Sequence, residues 1–274
     1  MTCAWKELLG ILPMWIRGEV DKHGKQTLQE LRLRINAPPE MILMGESYRI
    51  PGKVNKDDLN FCVNTASKYS PWTASTVAKG YLTAPGGHRI GLCGEVVCME
   101  GKPHGIREIT SLCIRVARDY PGISEKAAGI TGSVLIIGAP GWGKTTLLRD
   151  FSRKIARAET ICVVDERGEL FPSGIPRGEH MDTLSGCPKT AGIDMLLRTM
   201  GPSYIAVDEI TAEEDCKALI QAANCGVSLL AAAHASSVQD LYSRSIYRPL
   251  IDQNIFKTIL VLSRDKSYKV ERMK

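Results

Sequence analysis

Aromatic residues and long hydrophobic runs are scarce in this 274-residue chain, and each scarcity argues against a class of protein. Aromatics make up 6% of the residues, and no stretch interleaves them with basic residues as in single-stranded nucleic-acid binders. The longest apolar run near the N-terminus, residues 8–16, is broken by Gly10 and Pro13. A membrane-spanning helix needs roughly 20 apolar residues, and a signal peptide needs a basic leader and a small-residue cleavage site. We expect neither here.

Cysteine is plentiful but is not spaced for crosslinks or metal. The nine cysteines are scattered and odd in number, and no two form a C-x-x-C pair. This pattern is typical of reduced thiols in a cytosolic protein rather than of a disulfide framework or zinc site. We expect most of them to be buried, and the apolar surroundings of Cys162 and Cys216 predict that both lie in the core.

The positive charge is confined to the first part of the chain. Residues 1–118 contain 16 Lys and Arg against 11 Asp and Glu, whereas residues 119–274 contain 19 of each. A basic first domain could face phosphates, an acidic partner or an anionic membrane, but most such excesses are solvated surface. Charge alone therefore does not predict nucleic-acid binding.

The most specific motif lies in residues 133–150. Residues 134–137 form an unbroken apolar run, as expected of a strand buried on both faces of a parallel sheet. The next eight residues, G-A-P-G-W-G-K-T at 138–145, fit G-x-x-x-x-G-K-[ST] at every fixed position. An amphipathic pattern typical of a helix follows. Strand, glycine loop and helix in this order predict a nucleoside triphosphate site.

Each part of this loop has a predicted role. Glycines let successive backbone N–H groups point at phosphate oxygens, and the helix N-terminus adds partial positive charge. Lys144 supplies a full positive charge to the β and γ phosphates, and the Thr145 hydroxyl is placed to bind Mg²⁺. The residues predicted to bind the nucleotide are Gly138, Ala139, Pro140, Gly141, Trp142, Gly143, Lys144, Thr145 and Thr146.

The second half of the chain alternates strand and helix patterns. Strands are predicted at 133–138, 160–165, 203–208, 228–234 and 258–263. A helix between the third and fourth has Thr211 as its predicted N-cap and stops at Gly226. Such alternation predicts an α/β fold, a parallel sheet with helices on both faces.

The first half of the chain has a different pattern of predicted strands and helices. Helical spacing at residues 5–12 and strand patterns at 31–35, 41–50 and 89–98 predict a small α+β domain. We therefore predict a small basic α+β N-terminal domain at 1–118, a linker at 119–132 and the nucleotide-binding domain at 133–274.

Polar residues follow three of the predicted strands, where parallel sheets bind their ligands. Asp208 and Glu209 end an apolar strand; Asp208 is predicted to hold Mg²⁺ and Glu209 to polarise the attacking water. Glu166 and the aspartate before it end a second strand; either could reach that water or pair with Arg167. His234 closes a third strand, where we expect it to sense the γ-phosphate.

Residues 167–187 have no clear pattern of helix or strand and are rich in glycine and proline. Loops beyond about 12–15 residues are usually functional or disordered. We expect this segment to contact a partner or a neighbouring subunit.

Taken together, these segments resemble a known family. V-V-D-E-R-G-E, L-S-G-C-P-K, I-A-V-D-E-I and A-A-H-A are similar to those of the stage III sporulation protein AA family of endospore-forming bacteria. That family is in turn similar to the type II/type IV secretion and pilus-retraction ATPases, with their acidic box, Walker B motif and histidine box. Segments of the first domain show the same resemblance. The matching segments are residues 163–169, 184–189, 205–210 and 232–235, and in the first domain 30–36, 85–91 and 106–112.

The resemblance implies a RecA-like P-loop NTPase core behind the N-terminal domain, ATP and Mg²⁺ as ligands, and a homo-oligomer, a hexameric ring. It also implies a cytoplasmic protein of the mother cell, without a membrane span of its own, bound peripherally to the membrane-embedded proteins of a channel or secretion complex. Arg107 and Arg115, with Arg89 behind them, match arginines that reach the nucleotide at the subunit interface in such ATPases; they could equally be surface arginines on strands. Secretion ATPases usually have Gly-Glu where Asp208 and Glu209 stand, which leaves open whether Glu166 or Glu209 is the base.

Three functions follow from these observations. The first is ATP hydrolysis by a hexameric secretion-type motor that powers assembly of, or transport through, a sporulation-specific membrane channel. The alternative is a nucleic-acid translocase or helicase with the same core, but the chain lacks the interleaved aromatic and basic residues that would support it. The third is a nucleotide switch that does not hydrolyse its ligand.

Overall fold

The computed structural model describes residues 3–67, 80–99, 101–127, 129–172 and 174–273 and divides the chain into two units. The first unit comprises Met1–Asp119 with Pro172–Ile175, and the second comprises Tyr120–Phe171 with Pro176–Lys274. Residues 120–132 thus fall in the second unit; the predicted limits of the domains and linker stay predictions.

The first unit contains an antiparallel sheet in the strand order β3-β2-β1-β6-β5-β4. Side chains of β1 alternate between the two faces of this sheet. Leu31 and Leu33 are fully buried with the apolar side chains of the helices, whereas Arg32 and Arg34 point to the opposite face. The elements are α1 (Trp5–Gly10), α2 (Met14–Gly24), β1 (Leu28–Arg34), β2 (Glu40–Leu43), β3 (Glu46–Arg49), α3 (Lys56–Ala66), β4 (Tyr81–Thr83), β5 (Arg89–Met99) and β6 (Lys102–Arg115).

One expectation for this unit is wrong. Residues 41–50, predicted as a single strand, form the hairpin of β2 and β3, because Met44 and Gly45 adopt positive φ angles of 52° and 96° and reverse the chain. The helical spacing at residues 5–12 corresponds to α1. Helix α3 starts at a capping box in which the Asn55 and Asp58 side chains each accept the other's backbone N–H at 2.9 Å.

The second unit contains a sheet in the order β13-β12-β7-β11-β10-β8-β9. Every neighbouring pair in it is parallel except β12 and β13. Its strands are β7 (Val134–Ile137), β8 (Ile161–Asp165), β9 (Met181–Ser185), β10 (Tyr204–Val207), β11 (Ser228–Ala233), β12 (Thr258–Leu262) and β13 (Tyr268–Arg272). Its helices are α4 (Lys144–Ile155), α5 (Lys189–Thr199), α6 (Glu213–Asn224), α7 (Val238–Ser243) and α8 (Arg248–Asp252).

Helices pack on both faces of this sheet. All four residues of β7 are buried, and since side chains alternate along a strand they serve two cores. Leu135 and Ile137 join a cluster with residues of α5 and α6, such as Leu196 and Leu219. The alternate residues of β7 point the other way, and α4 contacts β7 and β11. The carboxyl ends of the parallel strands therefore share one edge, next to the N-terminus of α4.

Three details of this unit differ from the sequence predictions. The segment 167–187 is not irregular throughout, because it ends in β9, which pairs in parallel with β8. A further strand, β13, extends the sheet in the antiparallel direction. Helix α6 starts later than predicted, at Glu213, and the Asp215 carboxylate rather than Thr211 caps it, accepting the backbone N–H groups of Thr211 and Ala212 at 2.9 and 3.2 Å.

The cysteines are all free thiols, as expected, but their burial is only partly as predicted. Cys62, Cys162 and Cys216 are buried, whereas three are intermediate and three are exposed, so the expectation that most are buried is wrong. The two predicted core positions are confirmed. Among the helices in the described parts of the chain, we find none with the length and apolar character needed to cross a bilayer.

Candidate nucleotide-binding site

The glycine loop joins β7 to α4 in a bent conformation that a side chain would strain. Gly141 and Gly143 have φ angles of 77° and 102°, in the region that favours glycine. Trp142 N–H closes a turn by donating to the Ala139 carbonyl at 3.3 Å. Helix α4 begins directly after Gly143, and Lys144 is its first residue. A left-handed turn that leads into a helix N-terminus directs backbone amides toward one concavity, the geometry that binds anions.

The Lys144 side chain is buried, with 7% of its surface exposed, and it points at the carboxyl edge of the sheet. Its Nζ donates to the carbonyl of Gly138 at 3.0 Å and lies 2.9 Å from His234 Nδ1 and 3.6 Å from Glu209 Oε1. Burial lowers the pKa of Lys144, and the nearby Glu209 carboxylate opposes that shift. Lys144, Glu209 and His234, which follow three different strands, therefore lie in contact at this edge of the sheet.

His234 lies between the lysine and the acid. It follows β11, and its Nε2 lies 2.8 Å from Glu209 Oε1 while its Nδ1 faces Lys144 Nζ. An ammonium group can only donate, so His234 Nδ1 accepts from Lys144 Nζ. Glu209 Oε1 is close to Nε2, but in the described chain it is a buried oxygen without a hydrogen-bond partner, so it is free to accept one from a ligand or a water molecule. The Tyr247 hydroxyl accepts the backbone N–H of His234 at 3.2 Å and helps to fix the position of the ring between Lys144 and Glu209.

A second buried lysine, Lys189, lies among the other acids of this edge. It is the first residue of α5 and 4% exposed, and its Nζ donates to Glu166 Oε2 at 2.5 Å. Asp215 Oδ2 and Asp208 Oδ1 lie 3.5 and 3.8 Å from the same nitrogen. Burial tends to lower the pKa of Lys189, but the hydrogen bond to Glu166 and the charges of Asp208 and Asp215 outweigh it, and the pKa is raised. Glu166 therefore pairs with Lys189, not with Arg167.

Asp208 is the most perturbed acid at this edge. Burial raises its pKa to about 6, although the charge of Lys189 and the hydrogen bond from the Glu209 backbone N–H at 2.8 Å act in the opposite direction. Its carboxyl is largely shielded from water and lies near a fixed cation. A divalent cation bound to it would favour the ionised form.

The other acid of the 165–166 pair is structural. Asp165 is fully buried, and its carboxylate accepts the backbone N–H groups of Glu169, Leu170 and Phe171 at 2.8 to 2.9 Å. The guanidinium of Arg149, on α4, donates to the carbonyls of Glu169 and Leu170. The start of the 167–187 segment is therefore held to both β8 and α4, and both carboxylate oxygens of Asp165 are used to cap backbone N–H groups.

We call the small depression between these groups the acidic cavity. Its volume is about 30 Å³, about the volume of one water molecule in the liquid. Its lining residues are Thr145, Arg167, Glu169, Lys189, Asp208, Glu209 and Thr211.

The acidic cavity has a donor set that suits Mg²⁺. The Thr145 hydroxyl and the Asp208 carboxylate line it together, and oxygen atoms of this kind are the ligands that Mg²⁺ prefers. Among the described residues around it, five carboxylates outnumber the three cations Lys144, Arg167 and Lys189, so the cluster has a surplus of negative charge; the carboxylates are those of Glu166, Glu169, Asp208, Glu209 and Asp215. No group of three or more His, Cys, Asp or Glu side chains in the described ranges forms a metal site by itself. The residues thus fit a cation held jointly with a phosphate ligand.

On the other side of the α4 N-terminus lies a larger, mostly apolar cavity of about 170 Å³, which we call the aromatic cavity. Trp142, Gly143 and Thr146 of the glycine loop and α4 form one wall. The remaining lining residues are Tyr120, Ile123, Leu147, Leu262, Lys266 and Tyr268. The consecutive residues Thr145 and Thr146 thus line different cavities, one acidic and one aromatic.

The predicted arginines belong to the first unit, on β5 and β6. Arg107 forms an ion pair with Glu95 across the β5–β6 hairpin, whereas Arg115 lies 3.4 Å from Glu30 and is paired in register with Arg89. Arg107 and Arg115 are eight residues apart on one strand, but β6 is bulged between them and they lie opposite Glu95 and Arg89 of β5, which separates their Cα atoms by about 20 Å. That distance is too large for both side chains of one chain to meet at one phosphate group.

Comparison with known proteins identifies the family. The model of the family described as sporulation stage III, protein AA, matches residues 6–271. The chain therefore belongs to the stage III sporulation protein AA family. A member of this family, stage III sporulation protein AA of Bacillus subtilis (strain 168), is 36% identical over 280 residues, which cover 95% of this chain and 91% of the relative. The resemblance noted in the sequence is confirmed.

Solved structures of secretion and pilus ATPases share the fold. The ATPase DotB of Legionella pneumophila superposes with a TM-score of 0.59 at 18% identity, over 95% of this chain and 80% of DotB. The pilus retraction motor PilT, solved with bound ADP, gives a TM-score of 0.62 at 16% identity, over 91% of this chain and 78% of PilT. The chain thus has an α/β fold that resembles those of these two ATPases.

Lys189 is the main residue of this edge that has no role predicted from the sequence. It stands in the L-S-G-C-P-K segment that carries part of the family resemblance, but nothing local distinguishes it from a surface lysine at the start of a helix. Its partners Glu166, Asp208 and Asp215 come from three other segments of the chain. The only available signal was an excess of acids at strand ends, which requires a buried cation nearby.

Proposed function

We propose that this protein is a Mg²⁺-dependent ATPase that works as an oligomeric motor. The observation that carries the proposal is the meeting of Lys144, Glu209 and His234 beside a glycine loop, with Thr145 and Asp208 in the adjoining acidic cavity. An anion-binding loop, a fixed lysine and two acids at the same edge form the set that phosphoryl transfer to water requires. The fold of two known ATPases, one of them a motor with bound ADP, supports the same proposal.

The chain's own residues have the following roles in this proposal. The amides of residues 141–145 and the Lys144 ammonium bind the phosphates and stabilise charge on the transferred group. Thr145 and Asp208 would hold Mg²⁺, which would supply further positive charge to the bound phosphates. Glu209 accepts the proton of the attacking water through Oε1, which lies close to His234 Nε2 and Lys144 Nζ and has no hydrogen-bond partner of its own in the described chain. Glu166, bound to Lys189, is a positioning residue in this scheme rather than the base.

At the level of the cell, we propose a RecA-like motor, assembled as a hexamer and bound peripherally to a membrane-embedded channel of the sporulating mother cell. Membership in a sporulation family and the fold of secretion ATPases support this assignment. In this scheme Arg107 or Arg115 completes the site of a neighbouring subunit. One arginine placed at the γ-phosphate is worth roughly 10³–10⁵ in rate, so assembly would control hydrolysis.

The test combines hydrolysis with binding. Glu209→Gln is expected to bind Mg·ATP with unchanged affinity and to lose hydrolysis, whereas Lys144→Ala is expected to lose affinity as well. A Glu209→Gln variant that hydrolyses ATP at the original rate would refute the assigned base, and a Lys144→Ala variant with undiminished affinity would refute the site.

Oligomeric control is tested separately. We expect the specific ATPase activity to rise steeply with protein concentration and the arginine variants Arg107→Ala and Arg115→Ala to lower that rise. A specific activity independent of concentration over the range in which the protein assembles would remove the role of a neighbouring subunit.

A further inference from the structure

Arg167 is a cation of the acidic cavity without a partner among the described residues. It lines the cavity together with Thr145 and Glu209. Its side chain is exposed, and within the described chain its guanidinium forms neither a hydrogen bond nor an ion pair. Glu166, its neighbour in the sequence, binds Lys189 at 2.5 Å instead. The guanidinium of Arg167 therefore stays available for another anion.

The other two cations around this cavity are already held by groups of the protein. Lys144 Nζ lies 2.9 Å from His234 Nδ1 and 3.6 Å from Glu209 Oε1. Lys189 Nζ lies within 3.8 Å of three carboxylates. Each lysine must share or break such a contact to meet a further negative charge. Arg167 can turn to an incoming anion without breaking any contact within the described ranges.

The backbone next to Arg167 is held in place while its side chain is left free. The Asp165 carbonyl accepts the Gly168 N–H at 3.2 Å, and the Asp165 carboxylate accepts the Glu169 N–H at 2.8 Å. The Arg149 guanidinium donates to the Glu169 carbonyl at 2.8 Å. These contacts fix the Cα of Arg167 beside the cavity. A ligand therefore has to order the rotamers of only one side chain, which keeps the entropic cost of the contact small.

The position of the acidic cavity specifies which phosphate Arg167 meets. The candidate Mg²⁺ ligands Thr145 and Asp208 line this cavity, as does the candidate base Glu209, so the γ-phosphate end of a bound triphosphate lies there. That phosphate adds negative charge to a cluster in which carboxylates already outnumber cations. A guanidinium is always charged and has paired N–H donors that match two oxygens of one phosphate group, which suits Arg167 to this contact.

We propose that Arg167 contacts the γ-phosphate within its own chain and stabilises the charge of the transferred group. This inference rests on the proposed function and deepens it, because it gives each chain an arginine of its own. In the proposed ring, Arg107 or Arg115 acts on a neighbouring subunit and depends on assembly, whereas Arg167 acts at every protein concentration. A nucleoside diphosphate lacks the γ-phosphate and leaves Arg167 without this contact.

The first experiment measures binding of Mg·ADP and of the non-hydrolysable analogue Mg·AMP-PNP to the full chain by calorimetry. Arg167→Ala should weaken Mg·AMP-PNP by about 10- to 150-fold, the loss of a hydrogen-bonded contact to a charged group, and leave Mg·ADP within about twofold. Arg167→Lys should lose less, because it keeps the charge but not the paired donors.

Arg157 provides a matched control. It is an exposed arginine just beyond the C-terminal end of α4, more than about 16 Å from the phosphate loop at the other end of that helix. Arg157→Ala removes the same charge from the same unit and should change neither affinity.

Hydrolysis separates Arg167 from the arginines of a neighbouring subunit. In Arg167→Ala, kcat at saturating Mg·ATP should fall by about 10³-fold or more. The factor should be the same in dilute and in concentrated protein, because the arginine and the phosphate belong to one chain. The loss in Arg115→Ala should instead grow with protein concentration.

The other outcomes would contradict the proposal in distinguishable ways. Unchanged affinity of Arg167→Ala for Mg·AMP-PNP would overturn it, as would an equal loss for Mg·AMP-PNP and Mg·ADP or a loss of the same size in Arg157→Ala. A fall in kcat confined to concentrations at which the protein assembles would overturn the assignment to the same chain. Each of these results leaves the phosphate loop in place. A protein that binds neither nucleotide would refute the proposed function itself.

Discussion

Replacing Lys189 by methionine tests the charge arrangement of the candidate site without touching the phosphate loop. The change keeps an unbranched side chain but removes the only ammonium group within hydrogen-bonding distance of Glu166 in the described chain. Lys189 is 4% exposed, and three carboxylates lie within 3.8 Å of its Nζ. Without the lysine, these carboxylates stay close together in a poorly solvated region with no counter-charge.

The expected cost follows from that burial. Removing one partner of a buried ion pair typically costs about 3–5 kcal/mol, because the remaining charge is left uncompensated. In a unit of this size each 1 kcal/mol lowers the midpoint of thermal unfolding by about 2–4 °C, so Lys189→Met should lower it by about 6–20 °C. Urea unfolding at pH 7, followed by circular dichroism, measures the same free energy independently.

The same helix offers a matched control. Arg198, also on α5, forms an i,i+4 pair with Asp194 at 3.0 Å, but its side chain is 75% exposed. Exposed pairs of this kind contribute about 0.3–0.5 kcal/mol, so Arg198→Met should hardly change unfolding. A loss in Lys189→Met no greater than in Arg198→Met would refute the view that Lys189 is the counter-ion of this acid cluster.

The response to Mg²⁺ provides a second test of the Lys189→Met variant. Mg²⁺ should stabilise Lys189→Met more than the original protein. In the variant the ion replaces the missing positive charge, whereas in the original protein it competes with the Lys189 ammonium group. Equal stabilisation of both proteins by Mg²⁺ would show that the cation does not reach these carboxylates.

Two further predictions concern pH. The Asp150 carboxylate accepts backbone N–H groups of Gly122 and Ser124 at 3.0 and 2.8 Å, and although burial raises its pKa, these hydrogen bonds outweigh it and the pKa is lowered. Asp150→Asn should therefore cost about 1–3 kcal/mol at pH 7, and the difference should shrink as the pH falls below about 4; a constant difference in urea titrations from pH 7 to 3 would contradict this. Asp208, with a pKa raised to about 6, should be mostly protonated at pH 5, so Mg²⁺ titrated calorimetrically into the ADP-saturated protein should bind several-fold more weakly at pH 5 than at pH 7. The same raised pKa means that the Asp208 contribution to stability increases as the pH falls from 7 to 4, and Asp208→Asn should abolish both effects.

The sequence predicted the parts of this fold that depend on local pattern. An apolar run fully buried on both faces reads as a central parallel strand, and β7 and β10 occur where such runs stand. The edge strands β9 and β13 were missed for the opposite reason. In M-D-T-L-S only Met181 is buried, and in Y-K-V-E-R no residue is, so neither segment has a hydrophobic pattern distinct from that of a loop.

The candidate site likewise contains residues whose positions follow from local sequence pattern and residues whose positions do not. Lys144, Thr145, Asp208 and Glu209 lie at strand ends or in a motif of fixed spacing, so their proximity follows from the order of the elements. The pairing of Glu166 with Lys189 was not predictable, because it joins the end of β8 to the start of a helix 23 residues later through side-chain geometry alone. Glu166 is one of the two candidate bases predicted from the sequence, but a role in the site and a pairing with Arg167 had equal claims for this acidic pair. Only the structure shows that Asp165 caps backbone amides and that Glu166 pairs with a lysine.

The two arginines of β6 have the same role by motif matching but different positions in the structure. Resemblance assigns Arg107 and Arg115 one role, but the bulged strand separates them by about 20 Å, so a single chain can bring only one of them to a given phosphate. Their surroundings differ as well, since Arg107 faces one carboxylate, Glu95, across the exposed hairpin, whereas Arg115 shares Glu30 with Arg32 in the sheet. An arginine that must leave its partner to reach a phosphate loses least when that partner is exposed or already shared. If both act on nucleotide, they therefore act on different phosphate groups or on sites of different subunits, and a ring is an arrangement in which one chain lies next to two such sites.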